Sequence, residues 1–104
     1  MFEATRFRFD AIVVDDAELT LDDLCHACGA DADEVAALVA EGVLDPRGSS
    51  PAQWRFGGHA LWSARAVLRL VGDLDLDLAG AALAFDLLRE IAALRSRLHR
   101  AGLR

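Results

Sequence analysis

Lysine is missing from this chain of 104 residues; all eleven basic side chains are arginine, a bias of composition with no functional reading of its own. Arginine is missing in turn from Thr20 to Pro46, where seven acids stand instead: Asp22, Asp23, Asp31, Asp33, Glu34, Glu41 and Asp45. No apolar run approaches the roughly 20 residues of a membrane-spanning helix. The opening MFEATRFRFD holds no apolar stretch of the kind a secretory signal needs. A cytoplasmic protein without a membrane partner is expected. The chain has only two cysteines, in Cys25-His26-Ala27-Cys28. A closed zinc site needs a second ligand pair, and haem attachment needs the histidine after the second cysteine. Both thiols fall on an apolar helix stripe, so core packing is the expected role. There is no Ser-His-Asp order, no glycine-rich phosphate loop and no Glu-x-x-His motif, and His59 and His99 are isolated and expected to face solvent. No catalytic residue, metal or cofactor is expected, and the protein is read as non-enzymatic.

What is present is an apolar share of 54% with 27% charged residues, which suits one folded domain and excludes wholesale disorder. The net charge of −6 is unevenly spread. Residues 1–46 carry a local net of −10, residues 47–72 a net of +4 from Arg47, Arg55, Arg65 and Arg69, and the remainder cancels. An acidic N-terminal half suits a basic protein partner.

The pattern is mainly helical. Arg6 to Val14 alternates, with Phe7, Phe9, Ala11 and Val13 on one face, and predicts a short strand. Thr20 predicts an N-cap with Asp23 closing a capping box. Leu21, Leu24, Cys25 and Cys28 then form one stripe, and Gly29 ends the helix in a left-handed conformation. Asp31 caps a second helix with Glu34 in the reciprocal position. Its stripe is Val35, Leu38 and Val39, ended by Gly42. Two short helices around a tight turn form a helix-turn-helix. Pro46 to Pro51 is a loop, and Gln53 to Phe56 predicts a second strand that pairs with the N-terminal one as a small wing. Trp54, Phe56 and Trp62 are expected to anchor wing to body. A third helix is predicted from His59 to about Gly72, with Leu61, Ala64, Val67, Leu68 and Val71 inward. Asp77 predicts the N-cap of a long last helix to about Arg100. In it Leu87, Ile91, Leu94, Leu98 and Ala101 step by 4, 3, 4 and 3, a coiled-coil seam of about two heptads. A helix cannot cover such a seam alone, so a homodimer through Leu87, Ile91, Leu94 and Leu98 is expected. The division is a body over 1–76 and a dimerisation helix over 77–104, continuous as one domain.

This order resembles the MerR-type winged-helix regulators and, more closely, the CbpM-type chaperone modulators. The residues that carry it are Leu21-Asp22-Asp23-Leu24-Cys25, the turn from Glu41 to Arg47, Trp54-Arg55-Phe56, and Arg65-Ala66-Val67-Leu68-Arg69-Leu70 continuing through Asp73-Leu74 and Asp77-Leu78-Ala79-Gly80 to Leu87-Leu88. The resemblance implies a MerR-like winged helix-turn-helix with a small two-stranded wing and a dimerising C-terminal coil. It implies binding to the J-domain of a DnaJ- or CbpA-like cochaperone, with inhibition of its action on Hsp70. J-domains present a basic helix beside the loop that addresses Hsp70, which an acidic surface would fit.

The alternative is a MerR-like DNA-binding transcriptional regulator. DNA affinity comes largely from cations displacing counterions at phosphates, and Val35 to Glu41 holds nothing able to donate to a phosphate or a base edge. DNA is therefore not expected as a partner. The partner contact is expected from Asp22, Asp23 and Glu41, or from Asp73, Asp75 and Asp77; the sequence leaves the two sets open. Arg65 and Arg69 are expected to pair with Asp73, Asp77 or a second copy's acids rather than with phosphates.

Overall fold

The computed structural model describes residues 18–102. Four helices follow in order: α1 (Leu21–Cys28), α2 (Ala32–Ala40), α3 (His59–Leu74) and α4 (Leu78–Arg100), with a short 3-10 turn at Pro51–Gln53. The predicted strand over residues 6–14 lies outside the described residues.

Local chemistry sets each helix start. The Thr20 hydroxyl accepts from the Asp23 amide at 3.1 Å while the Asp23 carboxylate accepts from the Thr20 amide at 3.0 Å. Asp31 and Glu34 repeat this reciprocal box at 2.8 and 3.0 Å. Asp77 caps α4 by accepting from the Gly80 amide at 2.7 Å. Each device satisfies amides that have no partner inside the helix. Gly29 ends α1 at φ 66, a conformation that costs glycine little. The third helix runs two residues beyond the predicted end. Gly72 stays helical, an Arg69–Asp73 ion pair at i and i+4 spans it, and Asp75 takes the left-handed capping position at φ 55.

Leu24, Val35, Leu38, Leu44, Phe56, Leu61, Ala64, Ala66, Val67, Ala81 and Phe85 form one core. The cysteines, as predicted, are half-buried against it. The anchors divide differently from expectation. Trp54 meets Phe56 edge-on at 5.9 Å, but Trp62 packs on Phe85 of α4 at 5.4 Å, so it joins α3 to α4.

The predicted two-stranded wing is not supported: among the described residues there is no strand, only two isolated antiparallel bridges, Leu19 with Phe56 and Arg47 with Arg55. The reason lies in the backbone. Successive residues of an extended segment point their amides and carbonyls to opposite sides. Arg55 therefore bonds Arg47 on one side, at 2.9 and 3.0 Å, while Phe56 bonds Leu19 on the other, both at 2.8 Å. Beyond Arg47, Pro46 has no amide to continue a ladder, and Pro51–Gln53 turns back as a 3-10 helix.

α4 has two apolar faces. Ala81, Ala82 and Phe85 are buried against the body. At 100° per residue, Leu83, Leu87, Ile91, Leu94 and Leu98 fall on the opposite side, and all five are exposed, by 44 to 61%. From Asp86 to Arg100 every residue of the helix is exposed.

Candidate partner-binding surface

The six expected acids do not share one job. The Asp23 carboxylate is bonded to Thr20, and those hydrogen bonds hold it below the usual Asp range. Asp77 is committed to the cap of α4, and Asp73 to the 3.7 Å pair with Arg69. Asp22 on α1, Glu41 at the end of α2 and Asp75 in the α3–α4 link are exposed, with no side-chain hydrogen bond or ion pair among the described residues. The acids thus lie on three parts of the fold, and half of the predicted set also serves the fold itself.

The arginines are similarly occupied. Arg47 pairs with Glu18. Arg55 faces Arg47 across their bridge, lies near enough to Asp23 to favour its ionised form, and donates to its neighbour's Trp54 carbonyl at 2.8 Å. Arg69 takes Asp73, as expected. The Arg65 guanidinium donates to the Ala27 carbonyl at 3.3 Å, at the C-terminal end of α1 where a cation suits the helix dipole. Burial pushes both cysteine thiols up. Near Cys25 the Asp22 and Asp31 charges add to that push, while Arg65 partly offsets it at Cys28. Such thiols are poor nucleophiles at neutral pH.

A cleft of about 430 Å³ opens between the segment after α2, the start of α3 and α4. Leu44, Phe56 and Ser63 are buried in it, and Asp45, His59 and Arg89 are exposed around it. Sequence order hid this grouping, because Asp45 and His59 come from different segments. No hydrogen bond joins Ser63, His59 and Asp45 among the described residues, so no nucleophile–base relay is assembled there. Among the described residues no three His, Cys, Asp or Glu side chains converge as metal ligands, and no helix is long and apolar enough to cross a membrane.

The described surface is acidic at the helix starts and carries an exposed apolar stripe along α4. The predicted seam residues Leu87, Ile91, Leu94 and Leu98 all lie on that stripe. Sequence reasoning missed three exposed leucines: Leu83, four residues before the seam and on its side, Leu88 beside the seam, and Leu74 between two acids.

Comparison with known proteins agrees with this architecture. The family model for the MerR HTH family regulatory protein matches residues 19–101. A chaperone modulatory protein CbpM of Pseudomonas putida (strain W619) is 37% identical over 79 residues, covering 76% of this chain and 78% of that protein. The CbpM of Pseudomonas entomophila (strain L48) is 34% identical over the same shares. That of Coxiella burnetii (strain Dugway 5J108-111) is 31% identical over 87 residues, 84% of this chain and 82% of the relative. With identity at this level across most of both chains, and a MerR match that runs from Leu19 to the end of α4, this chain belongs to the CbpM family of chaperone modulatory proteins.

Proposed function

We propose that the chain acts as a cytoplasmic homodimer that binds the J-domain of a DnaJ- or CbpA-like cochaperone and lowers its stimulation of Hsp70. The observation that carries this reading is a helix-turn-helix complete in its caps and core whose second helix, Ala32–Ala40, exposes acids and alanines and no cation. Such a helix repels a phosphate backbone and attracts a basic protein surface. Occupying the basic helix of a J-domain covers the neighbouring loop that addresses Hsp70, so inhibition follows from occlusion and needs no chemistry. The acids that serve this contact belong to the helix-turn-helix set or to the set before α4. The stripe on α4 supports the homodimer, since a second copy is the simplest partner that covers it.

Hsp70 ATPase turnover, measured with a purified J-domain cochaperone of the same host, tests the reading. Stoichiometric addition of this chain is expected to return turnover to the rate without cochaperone. Unchanged turnover, or tight DNA binding that falls steeply with salt, would overturn it in favour of the regulator reading.

A further inference from the structure

Surface charges bring partners together and set orientation, but an exposed ion pair contributes little affinity. Binding energy comes from apolar anchors at the centre of a contact, with charges on the rim. The two acidic sets differ sharply in what lies beside them. In the helix-turn-helix, Leu19, Leu21, Leu24, Val35, Leu38, Val39, Val43 and Leu44 all belong to the core or pack against it. Asp22 and Glu41 thus have no exposed large apolar neighbour in that element. The large apolar side chains that are exposed among the described residues begin at Leu74 and continue only along α4.

Leu74 is the informative case. From the last turns of α3 to the start of α4, Leu70, Leu76 and Leu78 pack against the core, whereas Leu74 is 60% exposed. It stands between Asp73 and Asp75, both exposed. Leu83, 61% exposed, lies in the second turn of the adjoining helix. An apolar side chain held out among carboxylates matches a helix that carries cations around an apolar residue.

We infer that the end of α3 and the α3–α4 link, with Leu74 as apolar anchor and an acidic rim of Asp75 and the Arg69-paired Asp73, is the surface that receives the basic helix of the J-domain. The inference rests on the reading of the preceding section and chooses between the two acidic sets left open there. The helix-turn-helix acids then act at long range, on encounter rather than on the bound state.

The test is titration of the purified full-length chain against the purified host J-domain cochaperone, followed by fluorescence anisotropy. Leu74→Ser is expected to weaken binding about tenfold, the loss of one well-buried aliphatic anchor. Asp75→Asn, which keeps a residue tolerant of the left-handed backbone, is expected to weaken it about threefold and to reduce its salt dependence. Both side chains are exposed, so thermal midpoints should match the parent. The double variant Asp22→Asn with Glu41→Gln is expected to keep the dissociation constant within about twofold. If the link variants bind as the parent does while the double variant loses affinity, the inference is overturned and the J-domain reading stands. If the parent chain itself does not bind the cochaperone, the J-domain reading fails and this inference fails with it.

Discussion

Replacing Leu94 by Asp should separate the proposed dimer without unfolding the single chain. Fully burying a leucine or isoleucine contributes about 1.5–3 kcal/mol. The four seam side chains are 44 to 55% exposed, so covering the remainder gains roughly 1 kcal/mol each, or about 8 kcal/mol over two helices. Association itself costs upwards of roughly 4 kcal/mol. The surplus of about 4 kcal/mol puts the dissociation constant near about 1 mM, so the dimer should be visibly concentration-dependent. Leu94→Asp removes two of the eight contributions, about 2 kcal/mol, and drives two carboxylates towards an apolar seam, where desolvation adds a further penalty. The dimer should weaken at least about a hundredfold. Sedimentation equilibrium over a wide concentration range measures this directly. Helix content and the thermal midpoint at low concentration should be unchanged, because no residue from Asp86 to Arg100 is buried against the body. A parent chain that stays monomeric at millimolar concentration, or a variant that dimerises as well as the parent, would refute the reasoning.

Three further outcomes follow from the packing and the caps. Phe85, 1% exposed and bracketed by Trp62 at 5.4 Å and the Arg89 guanidinium at 5.6 Å, fastens α4 to the body; Phe85→Ala should cost about 3–5 kcal/mol in urea unfolding, and a loss below about 1 kcal/mol would show that α4 is held elsewhere. Gly48 sits at φ +113, and an added Cβ would lie 2.5 Å from the Gln53 carbonyl oxygen; Gly48→Ala should therefore cost about 1–3 kcal/mol and remove the protection of the Arg47 and Arg55 amides in hydrogen exchange. Asp23 has a lowered folded pKa, so its contribution is present above the unfolded pKa and is lost as pH falls through the folded value; Asp23→Asn should flatten stability against pH below about 4, and an unchanged acid limb would contradict the cap.

The sequence foretold the elements whose cause is local. Both capping boxes, the left-handed glycines after α1 and α2 and the start of α4 depend on residues three or four apart, and each was legible. Pairing was not. The alternation from Gln53 to Phe56 is the same whether the segment bonds one neighbour or splits its bonds between Leu19 and Arg47, because that choice belongs to the tertiary arrangement. Gly72 read as a stop, yet the Arg69–Asp73 pair and the turn at Asp75 lie beyond it. Nor did the sequence distinguish acids used by the fold from those available to a partner: Asp22 and Asp23 are adjacent, and only the second is held in a cap. Leu74 and Leu76 are equally apolar on paper, and which one turns outward is set by where α3 ends.

The reciprocal boxes at Thr20–Asp23 and Asp31–Glu34 limit the evolutionary routes open to this scaffold. Exposed acids such as Asp22, Asp33 and Glu41 could drift to arginine with little effect on folding. Asp23, Asp31 and Glu34 could not, since each substitution would uncap a helix of only eight or nine residues as it changed the surface charge. New cations could thus enter the motif at the uncommitted acids, but at the cap positions only after a new cap had replaced the old one. Part of the negative charge is built into the helix starts of the motif and stays with it whatever the freely exposed positions become.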